Sequence, residues 1–200
     1  MLLTVSKRLE FSASRRLFVP DWTDAENLSA FGPETNARYG SGRNYIAYFV
    51  FTGPVGPMTG MLINISEIKE RAGKILRERF DHKFLNEDNR SFRDAPPTTE
   101  NIARQLYTDV APLFSDTEAK LCACHLTESP EQSATYYSTG VCEANYWFEF
   151  SAARKTMSPL PYPSDLSIGT IRRERRVGPL RRNRRLSPRI AWRTRSSLSE

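Results

Sequence analysis

At 200 residues, 39% hydrophobic, with eleven Phe and eight Tyr, the chain is long enough for one or two domains and rich enough in large apolar side chains to build a core. No run approaches the roughly 18 apolar residues of a membrane span, and Met1–Lys7 is too short and lacks the small-residue cleavage site of a secretory signal. The net charge of +6 is unevenly placed: residues 171–200 hold eleven Arg against Glu174 and Glu200, which is +9 and leaves −3 for the other 170 residues.

In chain order, Leu3, Val5, Lys7, Leu9 and Phe11 nearly alternate with polar residues, the pattern of a half-buried strand. Asn44 to Thr52 is β-branched and aromatic and stops at Gly53-Pro54, a second strand. Apolar residues at Ile65, Ile68, Ala72, Ile75, Leu76 and Phe80 follow helical spacing. Thr98 follows two prolines and is placed to cap a second helix with the apolar face Ile102, Leu106 and Val110. Ala119 to Thr127 and Ala134 to Phe150 hold the remaining strands, with a turn at Gly140. Two strands, two helices and two strands predict an α+β unit, one four-stranded antiparallel sheet with both helices on one face (ββααββ). Three cysteines, Cys122, Cys124 and Cys142, are too few and too odd in number for a disulfide framework, which points to a reducing, cytoplasmic setting. Strict alternation puts Cys122 and Cys124 on the same strand face, as buried small residues.

Several stretches carry a resemblance. Gly40-Ser41-Gly42-Arg43-Asn44-Tyr45 is similar to a Gly-His-Gly-His-Asn-Tyr motif with both histidines replaced. Phe11-Ser12-Ala13-Ser14-Arg15-Arg16-Leu17 is similar to a segment with histidine at position 15. Gly60–Asn64 with Ile68-Lys69, Phe80-Asp81-His82-Lys83-Phe84-Leu85-Asn86, Pro97–Ala103, and Thr127-Glu128 with Ala134 and Tyr136 add to them in order. Together, over residues 3 to 150, they resemble the 6-pyruvoyl-tetrahydropterin synthase / 6-carboxytetrahydropterin synthase family. The resemblance implies a T-fold, in which subunits close their sheets into a barrel with pockets between them. It also implies three zinc-binding histidines, whose places are taken here by Arg15, Ser41 and Arg43. Arginine stays protonated and a neutral hydroxyl is a poor ligand, so no zinc and no other cofactor is expected.

Carried over residue by residue, the resemblance makes Asp81 and His82 the proton-transfer pair and Glu128 the carboxylate that grips a pterin ring. A carboxylate accepts a ring N–H and an amino group in a fork, and Thr98 or Thr99 adds hydrogen bonds from the helix start. The family's cysteine is missing: Phe31 to Tyr39 contains none, and Glu34 or Thr35 falls near its position. His125 differs from Glu128 by an odd number and is expected on the other strand face, in a structural role. Arg15 and Arg43 bring two positive charges to the zinc position, suited to an anionic substrate group or to a local ion pair.

Three functions follow as expectations: a metal-free binder of a pterin or related ring without the lyase activity, a divergent lyase or aldolase on dihydroneopterin-type substrates, and a structural subunit completing a barrel with a T-fold paralogue or with copies of itself. No membrane partner is expected, and nucleic acid only through the Arg-rich tail. Glu10–Arg15 recurs as Glu149–Arg154, five of six residues matching at an offset of 139. The expected organisation is therefore a T-fold domain over 1–147, the start of a truncated second copy over 148–165, and a tail over 166–200 whose composition predicts disorder.

Overall fold

The computed structural model describes residues 1–93, 95–152 and 169–177, with Ala152 and the last segment described by backbone alone. Strand β1 (Leu2–Arg15) runs antiparallel to β2 (Ser41–Pro54), which pairs with β4 (Lys120–Ser129), then β5 (Gln132–Tyr137), β6 (Cys142–Ala152) and β7 (Gly169–Val177). A two-residue strand, β3 (Lys83–Phe84), adds parallel to β1 at its end and makes the sheet seven-stranded.

The long helices are α2 (Ile65–Arg79) and α4 (Thr99–Val110), with the single turn α3 (Leu85–Asp88) between them. Asn64 caps α2 by accepting from the Ser66 N–H, and Thr98 caps α4 by accepting from the Asn101 N–H. Ile68, Ala72 and Leu76 on α2, and Ile102, Leu106 and Val110 on α4, are buried on one face of the sheet against Phe11, Tyr45, Phe49, Phe51, Cys124 and Leu126. Phe11 stacks on Tyr45 at 4.9 Å and meets the Phe80 ring edge-on at 5.8 Å. Each such side chain contributes about 1.5–3 kcal/mol by leaving water.

Three differences from expectation have local causes. Asp24–Thr35, outside the predicted elements, forms helix α1, begun by a reciprocal Thr23–Glu26 cap and bent at Gly32, whose φ of 75° precedes Pro33. Four strands become seven because Gly140, at φ 83°, splits 134–150 into β5 and β6, because β3 adds at one edge, and because Gly169–Val177 continues the sheet beyond β6. That last strand lies inside the segment expected to be disordered: β6 offers it nine backbone pairs, from Ala144↔Val177 to Ala152↔Gly169, which the composition of the segment does not reveal. The rest of 153–200, including most of the expected second copy, lies outside the described residues. Finally, a bulge in β4, where Phe51 faces Leu121 but Val50 faces Ala123, makes Cys122 the extra residue. Cys124 is buried and Cys122 only half-buried, so simple alternation fails for that pair.

Candidate functional site

One corner of the sheet gathers the residues that the resemblance places at zinc and ring positions. Arg15 ends β1 opposite Ser41, and Arg43 lies opposite Ala13, so Arg15, Ser41 and Arg43 share the helix-facing side. The β2–β4 register, with Ile46 opposite Thr127, brings Glu128 to the same end and side. The turn before them needs Gly40: its φ is 77°, and a Cβ there would sit 2.8 Å from the Phe84 ring and 3.2 Å from the Arg15 carbonyl oxygen. From above, the start of α4 brings in the Pro97 carbonyl and Thr99.

Arg15 and Glu128 close on each other. Arg15 Nη2 donates to both carboxylate oxygens of Glu128 at 2.5 Å, and Nη1 donates to the Pro97 carbonyl. Thr99 Oγ1 donates to Glu128 Oε2 at 2.5 Å, and Arg43 Nε reaches Oε1 at 3.3 Å. The side chains of Arg15 and Glu128 are each 3% exposed, that of Arg43 31%. Two cations therefore face one anion, and the carboxylate has a full set of donors. A buried ion pair with its remaining hydrogen bonds made is costly to break from one side, by about 3–5 kcal/mol.

Polar contacts run outward from this pair. Gln132 Nε2 donates to Thr99 Oγ1 at 2.9 Å and lies 3.5 Å from the Tyr146 hydroxyl, which donates to Glu100 Oε1 at 2.9 Å. Burial, followed by the neighbouring Glu100 carboxylate, pushes the Tyr146 phenol up to about 12. Tyr45, wholly buried, is different: its hydroxyl is one of two buried side-chain polar atoms among the described residues without a hydrogen-bond partner. Its phenol is pushed well above the usual range by burial first, while the charges of Arg15, Glu128 and Arg43 also act on it.

The other expected site residues lie elsewhere. Asp81 and His82 follow α2 beside the outer edge of β1. Asp81 Oδ1 accepts from the Ser12 N–H at 2.9 Å, and the His82 N–H donates to the Ser12 carbonyl. The His82 side chain is 84% exposed, its Nε2 is 3.7 Å from Asp81 Oδ2, and its φ is 55°. It borders an open groove of about 400 Å³ with Ser12, Ser14, Arg43, Asn44 and Lys83, lined by no carboxylate. Neither Arg15 nor Glu128 lines that groove, so one chain does not bring the pair Asp81–His82 together with the ring position. Thr98 is spent on the α4 cap, and only Thr99 meets Glu128. His125 does lie away from Glu128, half-buried between Thr135 at 2.8 Å, Thr127 at 3.3 Å and the Tyr48 ring, and burial lowers its pKa. The Pro97 carbonyl, Gln132, Tyr45 and Tyr146 were not foreseen; they become visible only when α4 and β5–β6 are placed over the corner.

The residues at the zinc positions do not fit the metal. Arg15 is committed to Glu128 and Pro97, Arg43 is a second cation, and Ser41 is a single weak donor. Among the described residues no three His, Cys, Asp or Glu side chains cluster to hold an ion.

An antiparallel sheet with its helices on one face and its charged corner at the ends of β1, β2 and β4 defines a T-fold protein. The model of the 6-pyruvoyl tetrahydropterin synthase family matches residues 4–139, and the chain belongs to that family. It is 36% identical over 132 residues to the 6-pyruvoyl tetrahydrobiopterin synthase of Drosophila melanogaster, which covers 66% of this chain and 77% of that one. It is 37% identical over 106 residues to the Homo sapiens synthase, covering 53% and 72%. The solved Caenorhabditis elegans 6-pyruvoyl tetrahydropterin synthase superposes with a TM-score of 0.64 at 28% identity, over 69% of this chain and 96% of that one. No helix among the described residues is long and apolar enough to cross a membrane.

Proposed function

We propose that this chain is a family member that does not carry out the zinc-assisted lyase reaction and serves as a non-catalytic subunit of a T-fold assembly. The observation that carries this is the Arg15 guanidinium seated on Glu128: the group that replaces a metal ligand also fills the carboxylate that would grip the ring. Lyase chemistry on a pterin side chain needs a Lewis acid to acidify a C–H bond, and Arg15, Ser41 and Arg43 supply none. Asp81 and His82 remain at an exposed edge, with no cysteine in the segment before β2.

The test is elemental analysis and turnover of the full chain, purified with zinc supplied, on a dihydroneopterin-type substrate. The expected result is zinc far below one per chain and no product. One zinc per chain with turnover would overturn the proposal, and turnover without zinc would favour a divergent lyase or aldolase built on Asp81 and His82.

A second reading, metal-free binding of a pterin ring, has one observation in its favour. Arg15 presents N–H donors to both Glu128 oxygens, as the amino group and ring N–H of a pterin would, so a ring could take its place. Calorimetry with neopterin separates the two: heat of binding that disappears in Glu128→Ala supports the ring site, and no binding by the parent supports the closed one.

A further inference from the structure

We infer that the corner formed by Arg43, Tyr45 and the Arg15–Glu128 pair is a binding site for a compact oxyanion, a carboxylate or phosphate group, in place of the family's metal. This goes beyond the non-catalytic reading and does not depend on it.

Charge is the first argument. Among the described residues Arg15 and Arg43 form ion pairs with Glu128 alone, so one positive charge is left uncompensated beside a buried ion pair. Arg15 has no freedom to take a ligand: it is 2% exposed and its contacts run to Glu128 and Pro97. Arg43 does. Its contacts are the 3.3 Å approach to Glu128 and a 3.0 Å bond to the Gly42 carbonyl, and a third of its side chain is open to solvent. A guanidinium with free N–H groups is suited to grip carboxylate or phosphate oxygens.

The second argument is independent. The Tyr45 hydroxyl is wholly buried, next in register to this charged corner and beside the Arg15 guanidinium, which can only donate to it; among the described residues its own proton finds no acceptor. Buried hydroxyls are almost always bonded, and an unsatisfied one marks a place for a missing acceptor. Glu128 is not that acceptor, since its oxygens already take Arg15, Thr99 and Arg43. An oxyanion would accept from the phenol and from Arg43 at once. The approach from the Arg43 side also suits an anion: the groove that reaches Arg43 carries Lys83 and His82 and no carboxylate, whereas the adjoining groove, which Tyr45 lines, carries Glu10 and Asp81.

The experiment is calorimetric titration of the full chain with inorganic phosphate and with acetate, at constant ionic strength set by chloride. Arg43→Ala and Tyr45→Phe are titrated alongside, each checked for folding by circular dichroism. The parent is expected to bind, and both variants to bind about tenfold more weakly or worse, as the loss of a charge-assisted hydrogen bond predicts. Absence of binding by the parent up to about 10 mM, an affinity below that of weak specific ligands, would overturn the site. So would equal binding by all three proteins, which means an adventitious ion only. Should Arg43→Ala fail to fold, Tyr45→Phe, which loses a single hydroxyl, decides alone. Neopterin and neopterin phosphate form the last arms. Neopterin phosphate is expected to match inorganic phosphate, since the ring anchor is filled. Tighter binding of neopterin phosphate would show the ring site open and favour the pterin-binding reading over the closed one, while the oxyanion site stands. Zinc-dependent turnover would overturn the non-catalytic reading, without touching the phosphate result.

Discussion

Two places in this protein hold residues of the type that does chemistry, and they have been treated in opposite ways. At the helix-facing corner, Arg15 and Glu128 are 3% exposed, bonded to each other and surrounded by further donors. At the outer edge of β1, Asp81 holds a backbone N–H while His82 stands 84% in solvent, 3.7 Å from the nearest carboxylate oxygen. The corner has become part of the structure. The edge has kept its side chains but has nothing to act on within one chain. A buried polar group is retained only if something satisfies it, and Glu128 is satisfied by Arg15, Thr99 and Arg43. The exposed edge is under no such demand, because water satisfies whatever the protein does not.

The comparison breaks first at Arg15. Replacing it by Ala leaves the Glu128 carboxylate buried with Thr99 and the part-exposed Arg43 at 3.3 Å, and the expected loss is about 3–5 kcal/mol. Urea unfolding of the variant beside the parent measures it. Arg15→Met combined with Glu128→Leu removes both charges, and most of the lost stability should return, since apolar replacement of a whole buried pair is often neutral. A single variant within about 1 kcal/mol of the parent would mean that the pair does not hold the corner together.

The corner shows what sequence could and could not reveal. The helix faces of Ile65–Arg79 and Thr99–Val110 were legible, because apolar residues recurring every three or four positions fit one side of a helix and little else. So were β1, β2, β4 and the turn at Gly140. The family followed from short motifs kept in order. That Glu128 would be the ion-pair partner of Arg15 is not legible in the sequence, because the two are 113 residues apart and the contact exists only through the β1–β2–β4 register. Tyr45 could not be singled out at all: a tyrosine in an aromatic strand looks the same whether its hydroxyl is bonded or orphaned. The strand at Gly169–Val177 escaped for a different reason. Its pairing is supplied by β6 and not by any apolar period of its own.

A smaller effect is expected at Asp81. Its carboxylate accepts from the Ser12 N–H at 2.9 Å and so ties the end of α2 to β1. Asp81→Ala should cost about 1 kcal/mol, the typical net worth of one hydrogen bond partly open to water. Melting of the variant tests this. A loss as large as that expected for Arg15 would erase the contrast and make the edge a second structural site.

The smallest effect, and one of opposite sign, is expected at His82. Its backbone has φ 55°, a left-handed conformation that side chains with a Cβ adopt at a cost and glycine adopts freely. The side chain gives little back, being 84% exposed and too far from Asp81 for a hydrogen bond. In His82→Gly the relief of backbone strain should exceed the added freedom of the unfolded chain, so stability should rise, by at most about 1 kcal/mol. His82→Ala keeps the strain and loses the ring, and should change stability by no more than about 0.5 kcal/mol. The two variants together isolate the backbone term from the side-chain term. A loss of stability in both would show that the imidazole is held by something in the assembled protein, such as the groove of a neighbouring copy. The edge would then be a buried site completed between chains, and the difference between the two regions would belong to the single chain alone.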